Sequence, residues 1–168
     1  MPVSPAAIEF GVVDVDKIAG PSEILVIADE HANPAYIAAD LISQAEHSED
    51  CSAVLVTTSA SLAAAVQKRL AEQVAALPRE GVIKASLSAY GGCLLVDDLT
   101  DAVALADEIA PEHAEVHTRE AYQVATQLRN VGGIFIGENA PEALGDYAAG
   151  PNHILPTGGA ARFSSAMS

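Results

Sequence analysis

The chain has 168 residues, half of them hydrophobic and 18% charged, which is enough apolar material to close one core and excludes a disordered chain. Aromatics are scarce at 4% and alanine is abundant, favouring packed helices over an all-β sandwich. With 8 Lys and Arg against 23 Asp and Glu, a formal charge of −15 and no basic cluster, neither nucleic acid nor an anionic membrane surface is expected as a partner.

In chain order, the opening MPVSPAAIEF lacks a basic region followed by an apolar run, so no signal peptide is expected. No apolar segment approaches the roughly 20 residues that span a bilayer. EILVIAD (23–29) is a β-branched run that predicts a strand buried on both faces. Asn33 as N-cap and Pro34 at the first helical position predict a helix over about 34–47. SAVLVTT (52–58) predicts a second buried strand, and Ser59 caps a long helix that Pro78 ends. Cys51 and Cys93 are too isolated for a disulfide framework or thiolate metal site, which suits a soluble protein of the reducing cytoplasm.

Residues 79–90 are expected to be helical and GGCLLVDD (91–98) a third strand, followed by a helix that Thr100 caps and Pro111 stops. AEVHT predicts a brief strand, REAYQVATQLRN another helix and GGIFIG a further strand. This alternation implies an α/β fold: a mostly parallel sheet with helices on both faces, an incomplete Rossmann-like arrangement. One domain over residues 1–168 is expected, with an irregular segment from about 144.

Ligands of open α/β sheets sit outside the carboxyl ends of the strands, and the polar clusters are first sought there. Ser22 sits in the turn AGPSE, before a strand and so at the less usual end. Gln44 and His47, at i and i+3, lie about 60° apart on a helix and reach one point. They form either half of a metal site or a polar helix end beside the negative dipole terminus. Glu112 and His113 are adjacent after a proline, either an acid/base pair facing one cavity or a solvated turn. Asp146 follows a glycine and is either a hard oxygen ligand or a cap. His117 reads as structural, and His31 and His153 as loop residues. No G-x-G-x-x-G follows a strand, and neither a P-loop nor an H-E-x-x-H motif is present. These residues suggest a small polar substrate and a metal, and name no reaction.

Three blocks name a family together: DKIAGPSEILVIADEHANPAYIAADLISQAEH, ADEIAPEHAEVHT and GGIFIGENAPEALGDYAAGPNHILPTGGAARFSS. They closely resemble the central and later portion of histidinol dehydrogenase, with the motifs in order from about Phe10 to the last residue. The resemblance implies a zinc-dependent enzyme that oxidises L-histidinol through the aldehyde to L-histidine with NAD. It implies Gln44, His47 and Asp146 as zinc ligands, which with His113 and Ser22 also contact the substrate. Glu112 and His113 match the family's acid/base pair.

The family's chains are longer. They add an earlier stretch with a second Rossmann-like domain that contacts NAD. A tail adds a substrate-binding Glu and a last zinc-binding His, supplied across a dimer. A homodimer or a complementing chain is therefore expected, with weak or no histidinol oxidation by this polypeptide alone. A non-catalytic binding or assembly module is the alternative, and a metal-assisted hydrolase using Glu112 a third.

Overall fold

A computed structural model describes residues 20–150 and 152–166. The reading of MPVSPAAIEF therefore lies outside the described residues. Strand β1 is Glu23–Ala28, buried from its second residue on. Helix α1 is Pro34–Ala45, started by Asn33, whose Oδ1 accepts the Ala35 N–H at 2.9 Å. Pro34 gives up no useful donor there, because the first helical N–H groups have no partner within the helix. Next come β2 (Ser52–Thr57) and α2 (Ala60–Val74), where Ser59 Oγ caps Leu62 N–H at 3.2 Å. Helix α3 (Glu80–Tyr90) runs directly into β3 (Gly91–Leu95).

Helix α4 is Leu99–Ile109, and its cap is Asp98 rather than the expected Thr100. The Asp98 carboxylate accepts both the Thr100 and Asp101 N–H, at 2.7 and 3.0 Å, which a hydroxyl one residue inside the helix cannot do. Strand β4 is His113–His117, beginning one residue before the expected AEVHT. Helix α5 covers only Ala121–Ala125 of the expected 119–130. Both flanks of that stretch are tied elsewhere: Arg119 N–H to Asp29 Oδ2 at 2.8 Å, and Arg129 and Asn130 N–H to Asp107 Oδ1 at 2.8 and 3.0 Å. Then follow β5 (Gly133–Ile136), a short α6 (Glu142–Leu144), a π-turn (Gly145–Ala149) and a 3-10 turn (Ala160–Arg162).

The five strands order as β3-β2-β1-β4-β5 with every pairing parallel. One face packs Ile24, Val26 and Leu55 against Ile37, Leu41, Leu62 and Ile83 of α1, α2 and α3. The other packs Leu25, Ile27, Ala114 and Val116 against Val103, Ala106 and Val124 of α4 and α5. A parallel sheet covered on both faces by crossover helices is the expected α/β arrangement. Because α1 returns antiparallel to β1, its C-terminal end comes back to the amino edge of the sheet. Both cysteines are free, and no helix among the described residues is long and apolar enough to cross a membrane.

Candidate functional site

Position in the fold separates the site candidates from the expected location. Ser22 immediately precedes β1, and its carbonyl accepts the Ser52 N–H at 3.1 Å where β2 begins. Glu112 immediately precedes β4 and His113 opens it, paired with Ile24 of β1. Gln44 and His47 lie at the C-terminal end of α1. All gather at the amino edge of the strands, opposite the carboxyl edge where such sheets usually bind ligands. The correction follows from direction: a residue at the end of a helix after β1 is necessarily back at the start of β1.

At this edge Glu23 and Glu112 cap each other across two strands. Glu23 N–H donates to Glu112 Oε2 at 3.1 Å, and Glu112 N–H donates to Glu23 Oε2 at 3.2 Å. Glu23 Oε1 also accepts Gly158 N–H at 3.1 Å, pulling the late segment of the chain onto the same edge. Thr157 Oγ1 holds Gly20 N–H at 2.7 Å, and a side chain on Gly132 would strike the Glu112 carbonyl at 2.6 Å and Pro156 at 3.0 Å. Burial raises the Glu23 carboxyl above its ordinary value, against the lowering effect of the Gly158 and Glu112 amides.

Glu112 and His113 are 6% and 5% exposed, so the pair is buried and the solvated-turn reading of it is set aside. His113 Nδ1 lies 3.0 Å from the Glu23 carbonyl and 3.6 Å from Glu112 Oε2. A carbonyl only accepts, so Nδ1 carries a hydrogen, and in the neutral ring the lone pair sits on Nε2. Nε2 in turn lies 3.8 Å from Glu142 Oε1. The Phe135 ring leans on the imidazole at 6.0 Å between centroids.

On α1, Gln44 is 1% exposed, and its Oε1 has no hydrogen-bond partner. An orphaned amide oxygen at such burial carries an unmet desolvation penalty of about 1–3 kcal/mol, which a cation or donor would relieve. His47 is exposed, and its Nδ1 lies 2.8 Å from the Ser43 carbonyl. That contact places a hydrogen on Nδ1 and turns Nε2 away from the Ser43 carbonyl.

Asp146 belongs to the π-turn, but its side chain lies outside what the structure describes. The turn itself is placed by Gly145: a Cβ there would meet the Phe135 ring at 2.7 Å, so only glycine seats it so closely. Phe135 thus stands between Asp146's turn and His113. His31 and His153 are in irregular segments, as expected.

The sequence reading missed a buried polar stripe beside this site. His113, Glu115 and His117 alternate along β4 on the α1 face, and Asp40 projects from α1 toward them. Glu115 is fully buried, and its Oε2 lies 3.2 Å from His117 Nε2, which is 3.8 Å from Asp40 Oδ2. One ligand atom each of Asp40, Glu115 and His117 falls within 4.8 Å of the others, close enough to surround a cation. Desolvation first, then the charge of Glu115, raises the Asp40 carboxyl to about 8. Period-2 alternation ordinarily signals a solvent face. In a strand flanked on both sides it marks instead a polar layer under a helix.

A family model described as histidinol dehydrogenase matches residues 5–168. The histidinol dehydrogenase of Lactococcus lactis is 52% identical over 158 residues, and that of Nitrobacter winogradskyi 51% over 158. Each match covers 94% of this chain and 37% of the relative, so the chain spans little more than a third of the length of these curated relatives. The crystal structure of histidinol dehydrogenase from Elizabethkingia anophelis superposes with a TM-score of 0.90 at 38% identity, over 93% of this chain and 36% of that one. The chain belongs to the histidinol dehydrogenase family.

Proposed function

We propose that this chain supplies the zinc and histidinol site of an NAD-linked histidinol dehydrogenase, completed by a second copy or a complementing chain in the cytoplasm. The observation that supports it most is the buried Glu112–His113 pair, oriented by Glu23, on the edge to which α1 returns Gln44 and His47.

The residues present fit zinc. Gln44 offers an orphaned oxygen, His47 a correctly tautomerised nitrogen, and Asp146 is assigned as the hard oxygen ligand. When bound, zinc would act as a template that orients the imidazole and amino nitrogens of L-histidinol. Ser22, at the same edge, is assigned a substrate contact. His113 would take the alcohol proton at Nε2, the carbinol hydride leaving to an NAD that residues outside this chain hold. Glu112 then activates the water that attacks the aldehyde, each step being general-base help of about 10²–10⁴-fold.

NAD does not fit the described residues in the same way. Strand β1 leads into Asp29 and Glu30 instead of a glycine-rich turn, and Asp29 already accepts the His31 and Arg119 amides. The NAD contacts are assigned to residues outside this chain.

A calorimetric series tests the reading: zinc first, then histidinol, then NAD. Zinc is expected to bind, and histidinol to bind only the zinc-loaded chain. Binding of histidinol without zinc, or no binding of either, overturns it and favours a non-catalytic module. Turnover by the chain alone is expected to fall far below the ~1 s⁻¹ at the low end of typical enzymes.

A further inference from the structure

We propose that Glu115 is a positioning residue for this site: from mid-β4 its buried carboxylate holds the Glu142 amide, and with it the turn that carries Asp146. The functional consequence rests on the zinc reading above. The structural tie rests on hydrogen bonding alone.

Helix α6 has only three residues, and Pro141 at its start provides no side-chain cap. Its first N–H groups have no partner within so short a helix. Glu115 Oε1, twenty-seven residues earlier in the chain, accepts the Glu142 N–H at 2.7 Å in a fully buried contact. That makes Glu115 a cap supplied from the sheet.

A carboxylate at zero exposure wants a reason, since an apolar residue of the same length would pack there without losing hydration. Asp40 supplies it. The two carboxyl groups and His117 lie within 4.8 Å, and burial with mutual repulsion keeps a proton on Asp40. A proton on Asp40 spares the interior the repulsion of two adjacent carboxylates, while Glu115 Oε1 accepts from Glu142.

The same turn has a second seat. Gly145 rests against Phe135, whose ring leans on His113. Glu142 Oε1 lies 3.8 Å from His113 Nε2. Glu115 at one end and Phe135 at the other therefore fix residues 142–145 relative to the imidazole, and Asp146 follows directly.

The test compares Glu115→Met, which keeps length and removes the acceptor, with Glu115→Gln, which keeps an acceptor oxygen. Hydrogen exchange in the zinc-free chain should show the Glu142 amide opening about 10-fold or more faster in the Met variant and near wild type in the Gln variant. Unchanged exchange in Glu115→Met overturns the tie, whatever zinc does. Zinc affinity should fall about 10-fold in Glu115→Met, as for a lost outer-shell partner, and recover in Glu115→Gln. Asp146→Ala is the control. If it weakens zinc and Glu115→Met does not, the positioning role is wrong. If it leaves zinc unaffected, the zinc reading fails while the exchange result still decides the tie. Should Glu115→Met fail to fold, Glu115→Gln decides: accelerated Glu142 exchange in a folded Gln variant overturns the proposal, and protection supports it. A zinc equivalent retained in His47→Ala and lost in Glu115→Gln would make the Asp40–Glu115–His117 cluster a cation site and overturn it too.

Discussion

The hydrogen on His113 Nδ1 is fixed by the Glu23 carbonyl, which in the proposed reading leaves Nε2 to act as the base. Glu112 is held differently, with Oε2 bound to the Glu23 amide. The two neighbours therefore suit different steps. In the complete enzyme proposed above, His113→Asn should slow oxidation of the alcohol by about 10²–10⁴-fold. Glu112→Gln should instead slow oxidation of the aldehyde, which comparing histidinol with the pre-formed aldehyde as substrate would reveal. The reverse pattern would exchange their roles. Candidate residues of this kind were legible from their types and adjacency. Their tautomer and their mutual capping with Glu23 were not, because those depend on a strand 89 residues away.

Short-range chemistry made most elements readable. Asn33 followed by Pro34 marked the start of α1, and Ser59 that of α2. Asn33→Ala should remove the Ala35 cap and lower stability by about 0.5–2 kcal/mol, read by urea unfolding. Helix α5 was overread, because the amides at its flanks are claimed by Asp29 and Asp107, partners that lie in other elements. The approach of β5 to β4 also lies beyond local pattern. Gly132→Ala would push a methyl group against the Glu112 carbonyl at 2.6 Å, a backbone atom that cannot swing aside. The expected result is a loss of about 1–3 kcal/mol and a displaced Glu112. Unfolding curves superimposable on wild type would show that the two strands can separate freely.

Across the whole molecule the sheet order, with β1 central, determines what the ends of α1, β1 and β4 share. The α/β class was legible from alternation, but the amino-edge location was not, since it depends on helix direction and strand neighbours together. Burial of the Asp40 layer also affects overall stability. The folded Asp40 carboxyl titrates at about 8 against an ordinary 3.8, so between those values the folded state binds the extra proton. Stability should therefore decline as pH rises from 4 to 8, with no such contribution below 4. Glu115, Glu142 and His117 face the same group. Asp40→Asn should flatten the dependence of the urea midpoint on pH, and an unchanged slope would show that Asp40 does not hold the proton.

In the proposed site, α1 and the turn at Gly145–Ala149 carry Gln44, His47 and Asp146 to one zinc ion. X-ray absorption of the zinc-loaded chain tests it most directly. A nitrogen/oxygen shell at about 2.0–2.1 Å with one imidazole is predicted, and the imidazole signal should disappear in His47→Ala. Loss of that signal in His117→Ala, with His47→Ala unchanged, would rule out the Gln44–His47–Asp146 site and place the metal in the buried layer of Asp40, Glu115 and His117.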